Sequence, residues 1–277
     1  MHKFSLHSVQ TLLLGGILCL SMAALGQENP QFVSLTLCSD RLLIAIARPQ
    51  QIAAMSPYSK NPLMMLDKVN VTKPVVQAKL DQLLPYANTK LLINDTFYPR
   101  LMQRLKGLGF DVIPINDAPQ TPQALFELIL KLGKITHNEP RAKQLVQQLK
   151  NATSLNTKAT KTAVVLSETG VQNLALPQYK VLLQLLHLQP IATKLTQQHF
   201  SLEKMLLANP DTLIALSDHQ GYHQGAQLLS HPLLKDLAKN RSVLKAPLKY
   251  TYCFDQGVWQ GAKILSQQAK QQEDIYE

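Results

Sequence analysis

From Phe32 onward, short apolar runs alternate with stretches whose apolar residues recur at helical spacing. "FVSLTL" reads as a strand, "DRLLIAIA" as a helix and "QIAAMS" as a second strand. The next units keep the rhythm. "DQLLPYA" predicts a short helix, "KLLIN" a buried strand, "YPRLMQRLKGLG" a helix closed by Gly109, and "FDVIPI" a strand. Alternating strands and helices of this kind build a largely parallel sheet, here of about four strands.

The rhythm breaks at Thr121. "TPQALFELILKLGKITHNEPRAKQLVQQLKNATSL" keeps helical spacing without a strand, starts with Pro122 in a first-turn position, and is interrupted only by Gly133 and Pro140. The spacing predicts one long helix, kinked at most. After it "KTAVVLSE", "DTLIALSD" and "RSVLKAP" restore the α/β pattern, and an amphipathic helix from about Gly257 to Lys270 closes the chain. The expected fold class is therefore α/β, with two Rossmann-like lobes joined by a single long α-helix. The lobes fall at 27–120 and 153–277, with the bridging helix at 121–152.

The two lobes share a segment. "KLDQLLPYANTKLLIN" and "SLEKMLLANPDTLIAL" align with Leu80 over Leu202, so that Asp81 falls over Glu203 and the run Leu91–Ile93 over Leu213–Ala215, 122 residues later. Each copy is a helix followed by a strand, with an acid in the first helical turn. Two readings stay open: the acids favour the positive ends of their helices, worth ~0.3–1 kcal/mol each, or they form a matched pair that grips a basic partner.

The first 26 residues stand apart. His2 and Lys3 precede the apolar run "LLLGGILCL" and the small-residue end "AALG", the signature of a secretory signal peptide cleaved near Gly26, which sends the chain to the periplasm. The apolar run is shorter than the ~20 residues needed to span a bilayer. Cleavage leaves 251 residues carrying 27 Lys and Arg against 18 acids, a net +9. Those cations are scattered singly along polar helix faces, which argues against nucleic acid and for a solvated surface. Export also leaves Cys38 and Cys253 as an even pair in an oxidising compartment.

Taken together, the opening "FVSLTLCSDRLLIAIARPQQIAAMSPYS", the "LEKMLLANPDTLIAL" segment, "RLKGLGFDVIPI", the bridging stretch and the closing "GVWQGAKIL" resemble the periplasmic binding proteins of ABC importers for iron complexes, haem and cobalamin. The resemblance covers nearly the whole mature chain. It implies a monomeric receptor with no cofactor of its own, whose ligand is a metal chelate or corrinoid carrying Fe or Co. It also implies that Asp81 and Glu203 dock onto arginines of the membrane permease, with Asp81 the shorter side chain where Glu is usual.

Nothing in the sequence argues for catalysis: there is no G-x-S-x-G elbow, phosphate loop, H-E-x-x-H pair or C-x-x-C. In α/β lobes ligands sit beyond the carboxyl ends of the strands. Those segments supply Tyr58, Phe97, Tyr98, Tyr222, Tyr250, Tyr252 and Trp259, flat faces suited to a macrocycle or aromatic chelate, against which ordinary packing is the competing reading. In "SDHQGYHQG", His219 or His223 offers an axial ligand to iron or cobalt, or the stretch is simply a polar loop. No third and fourth ligand marks a free metal site. Cys38 and Cys253 read as a disulfide between the lobes, as two buried thiols, or as a thiolate pair on the ligand's metal. The alternative function is an exported α/β enzyme or ligand sensor on the same fold.

Overall fold

The computed structural model describes residues 30–66, 73–153, 161–167, 170–191, 202–218 and 231–276. The expected leader lies outside them, as do His219, Tyr222 and His223.

In the N-terminal lobe β1 (Phe32–Ser34), β2 (Ile52–Ala54), β3 (Lys90–Asn94) and β4 (Asp111–Ile115) form a parallel sheet in the order β2-β1-β3-β4. Period-two alternation assigns each strand residue to a face. Phe32, Leu92 and Ile115 join the core that continues into the second lobe, whereas Val33, Leu91 and Ile93 join a separate core with Leu105 and Phe110. Helix α1 (Leu37–Ile46) begins inside the stretch expected to be strand, because Thr36 turns the chain there and accepts a hydrogen bond from the Ser39 amide at 3.2 Å. Helix α2 (Leu80–Leu83) is cut to one turn before Pro85, and α3 (Pro99–Gly107) ends at Gly109, whose φ of +84° supplies the left-handed residue of the cap.

In the C-terminal lobe β5 (Lys161–Ser167), β6 (Gly170–Val171), β7 (Leu188–Pro190), β8 (Thr212–Leu216) and β9 (Ser242–Ala246) form the second sheet, with β5 and β8 at its centre. Helices α6 (Pro177–Leu185), α7 (Leu202–Ala208), α8 (Pro232–Ala238) and α9 (Gln256–Tyr276) complete it. The internal echo holds at the level of elements. Helices α2 and α7 start 122 residues apart, β3 and β8 start and end 122 residues apart, and each of these strands lies third in its sheet beside the last strand.

The long bridging helix does not form. The segment is two helices, α4 (Pro122–Ile135) and α5 (Glu139–Thr153), and they fold back on each other. Lys150 Nζ lies 5.5 Å from the centre of the Phe126 ring, a contact that a straight helix of this length would forbid. The turn between them is a Schellman motif: the Asn138 amide donates to the Gly133 carbonyl and the His137 amide to the Lys134 carbonyl, with His137 at φ +55°. Gly133 permits the close crossing, since a Cβ there would lie 2.4 Å from the Ala142 methyl. Pro140 falls in the first turn of α5, where its missing N–H costs nothing.

The hairpin packs on both lobes. α4 lies against α1, and Trp259 of α9 stacks on Phe254 at 6.0 Å and meets the tilted Phe126 ring at 6.3 Å while donating to the Leu149 carbonyl at 3.0 Å. One apolar core therefore runs from β1 through α4 and α5 to α9.

Candidate functional site

The carboxyl ends of the two sheets face one another. Cys38, in the first turn of α1 beyond β1, forms a disulfide with Cys253, in the loop beyond β9, with Cα atoms 5.6 Å apart. Beside it Arg41 reaches across to Asp255 with Nε 2.7 Å from Oδ2 and Nη2 2.8 Å from Oδ1. The guanidinium spends a further N–H on the Lys249 carbonyl at 2.8 Å. Both side chains are buried, and Gly257 makes the joint possible: a Cβ there would lie 2.3 Å from Arg41 Nη2. Burial pushes the Asp255 carboxyl up, and the two-pronged Arg41 contact pulls against it.

The floor of the N-terminal lobe is a buried polar layer at the strand ends. Asp40 accepts hydrogen bonds from the Ser34 and Ser56 hydroxyls and from the Ser56 amide, the last at 3.1 Å. Asp117, just beyond β4, accepts from Thr36, Ser39 and Asn94, the Ser39 bond being 2.6 Å. Burial pushes the Asp40 carboxyl up to about 7 despite its donors, with the neighbouring Asp117 charge adding a little. Among the described residues no group of three or more His, Cys, Asp or Glu could hold a metal ion.

Above this floor stand the aromatics of the N-terminal rim. Tyr58, in the short turn Pro57–Lys60 beyond β2, is 50% exposed, and Phe97, beyond β3, is 61% exposed. Tyr98 is partly buried; its phenol is pushed up by burial, with Tyr58 and Asp117 close enough to add to the shift. Phe97 and Tyr98 are consecutive and Tyr58 lies close to Tyr98, so apolar and phenolic side chains gather at these strand ends.

The C-terminal rim differs. Tyr252 is 38% exposed and donates to Asp218 at 2.6 Å, joining the loops beyond β9 and β8. Behind it Tyr179 donates to Gln172 at 2.9 Å and Gln172 to Ser167 at 2.6 Å, a neutral counterpart to the carboxylate floor opposite. Trp259 has no face to offer a ligand: it is 7% exposed, with its ring stacked and its N–H bonded into α5, so the fold uses it as a packing anchor. Tyr250 is half-buried over Gly261, whose Cβ would lie 2.8 Å from the Tyr250 Cβ. Asp81 is exposed in the single turn of α2, and Glu203 occupies the matching second position of α7.

Arg41, Asp255, Asp40 and Asp117 had no signal in the sequence by themselves. "SDR" after a strand reads as an ordinary polar helix start, and only its juxtaposition with Asp255, 214 residues away, makes it the junction of the lobes.

Neither a protein-family model nor a curated protein sequence matches this chain. Solved structures do. The periplasmic haem-binding protein HutB of Vibrio cholerae is 18% identical with a TM-score of 0.67, covering 86% of this chain and 98% of that one. A possible iron-binding, periplasmic solute-binding protein from Staphylococcus epidermidis is 17% identical with a TM-score of 0.62, covering 89% and 98%. The periplasmic vitamin B12-binding protein BtuF of Vibrio cholerae is 14% identical with a TM-score of 0.58, covering 87% and 96%. At such identities the likeness is one of fold: two α/β lobes in the arrangement of periplasmic substrate-binding proteins.

Proposed function

We propose that this protein is a periplasmic solute-binding receptor that captures a metal chelate or corrinoid (a siderophore complex, haem or cobalamin) and delivers it to an ABC importer. One observation carries the reading: the carboxyl ends of both sheets are held face to face by Cys38–Cys253 and Arg41–Asp255, with Tyr58 and Phe97 exposed on the rim. Exposed rings at the strand ends of an α/β lobe suit a flat, largely apolar ligand. The shared fold of haem-, iron- and vitamin B12-binding structures supports the same class.

In this reading Tyr58, Phe97 and Tyr98 supply the stacking wall. His219, Tyr222 and His223, which follow Asp218 in the sequence, supply further ligand contacts and an imidazole for the metal. Asp81 and Glu203, at equivalent places in the repeated helix and strand, meet arginines of the permease. The protein makes and breaks no bond in its ligand and needs no cofactor.

Titration of the purified mature protein with haem, cyanocobalamin and a ferric siderophore, followed by difference absorbance, tests the reading. Saturable one-to-one binding of one of them, weakened by Tyr58→Ala and Phe97→Ala and unaffected by Glu203→Arg, is the expected result. In cells Glu203→Arg should abolish uptake, and Asp81→Arg should reduce it. Binding of none of the three, or chemical turnover of the one that binds, would overturn it.

A further inference from the structure

Asp95, Thr96 and Phe97, in the turn between β3 and α3, are all exposed, so packing does little to fix this turn and its shape rests on hydrogen bonds at its root. That root is Asn94, the buried last residue of β3. Its side-chain oxygen accepts from the Thr96 amide at 3.0 Å and the Phe97 amide at 2.8 Å, and its backbone carbonyl accepts from the Tyr98 amide at 3.0 Å. Three consecutive amides of the turn therefore hang on one residue.

The other end of the Asn94 side chain is held in turn. Asn94 Nδ2 donates to Asp117 Oδ1, and Asp117 Oδ2 accepts from the Thr36 and Ser39 hydroxyls at the start of α1. Chemistry sets the direction of each link. The Thr96 and Phe97 amides can only donate, so they take the Asn94 oxygen, which leaves Nδ2, also only a donor, for the Asp117 oxygen. Neither a carboxylate nor an alkyl group at position 94 could serve both neighbours. The path from α1 through Asp117 and Asn94 to the Phe97 amide is buried at every side chain along it.

We propose that Asp117 is a positioning residue for the ligand: through the Asn94 side-chain amide it sets the turn that presents Phe97 and Tyr98. The inference rests on the reading of those rings as the stacking wall. A ring on a loose turn loses its freedom only when ligand arrives, which weakens binding, whereas a ring on a turn already tied to α1 has lost it on folding. What the relay asks of position 117 is an acceptor in the right place, not a charge. Asp117→Asn keeps an oxygen for Asn94 Nδ2, and the Thr36 and Ser39 hydroxyls can turn to accept from the new amide. Asp117→Leu removes the acceptor at similar volume.

The test joins residue-resolved amide exchange of the ligand-free mature protein to titration with haem, cyanocobalamin and a ferric siderophore. In Asp117→Leu the Thr96 and Phe97 amides should exchange roughly tenfold faster than in the native protein, and in Asp117→Asn at the native rate. Affinity for whichever probe the native protein binds should fall about tenfold in Asp117→Leu and hold in Asp117→Asn. Placed in a Phe97→Ala background, Asp117→Leu should cost much less, because the ring it positions is gone. Should Asp117→Leu fail to fold, Asn94→Ala breaks the same relay from its other end and should give the same results. Unchanged exchange at Thr96 and Phe97, an affinity loss undiminished by Phe97→Ala, or an Asp117→Asn variant as weak as Asp117→Leu overturns the inference. If the native protein binds none of the three probes, the receptor reading fails, while faster exchange in Asp117→Leu still upholds the relay and unchanged exchange overturns it.

Discussion

Asp40 shows how a single residue carries two demands that conflict. It is fully buried at the ends of β1 and β2, where three donors favour the carboxylate and the loss of water favours the acid. Burial wins. Because the folded-state value is raised from 3.8 to about 7, the native state holds a proton that the unfolded chain releases, and its stabilising contribution is full below pH 4 and lost as pH rises through 7. That difference amounts to on the order of 4 kcal/mol. Denaturant midpoints should therefore fall between pH 5 and pH 8 in the native protein and stay nearly level in Asp40→Asn, where Asp117 is the remaining carboxylate of the layer; an unchanged slope in the variant would assign the effect elsewhere. None of this was legible in the sequence, since burial of an Asp beside two serines depends on bringing Ser56, 16 residues further along the chain, to Asp40. The exposed aromatics were legible, because strand ends could be located and Tyr58, Phe97 and Tyr98 follow them. Trp259 leaned toward the core from its place in the last helix, and its ring neighbours Phe126 and Phe254 make it an anchor of that helix.

Helix ends mark where pattern reading succeeded and where it failed. Helix α3 and helix α4 stop by the same capping motif, but α3 has Gly109 at the left-handed position and α4 has His137. The glycine announced a stop; the histidine did not, so the two arms of a hairpin read as one rod. His137 is exposed and pays a strain that glycine avoids. Replacing it should therefore stabilise the turn: His137→Gly is expected to raise the unfolding free energy by ~0.5–1 kcal/mol, read from urea midpoints, and a loss of stability would show that the ring has a role at this turn. Strand edges, by contrast, follow simple rules. β4 carries Pro114, which cannot donate to a neighbouring strand, and β9 is covered by Gln268 and Gln272 of α9, which bond to the Lys245 amide and carbonyl and to the Val243 carbonyl. The repeat was the most legible feature of all, because a helix and strand conserved in spacing over 122 residues must occupy equivalent places in the two sheets.

At the scale of the whole molecule, the lobes are joined more tightly than a bridging helix alone would allow. The chain passes between the sheets through the α4–α5 hairpin, and the junction at Cys38 and Arg41 closes a second connection with a sequence separation of 215. On the chain-entropy account a loop of that size is worth about 5 kcal/mol. Reduction should then lower the melting temperature by roughly 10 °C or more, measured by calorimetry with and without reductant, and an unchanged melting temperature would mean that the native contacts already bear the whole connection. The sequence supplied the even cysteine pair but not its partner pair, because Arg41 and Asp255 look like surface charges until the fold buries them. On the proposed function this two-lobed frame carries a coloured metal chelate. The absorbance spectrum of the protein purified from its native cells, without added ligand, tests it most directly: a visible band of haem, corrinoid or ferric siderophore that is lost in Tyr58→Ala/Phe97→Ala is the expected result. A colourless protein that none of those ligands stains on reconstitution would contradict it.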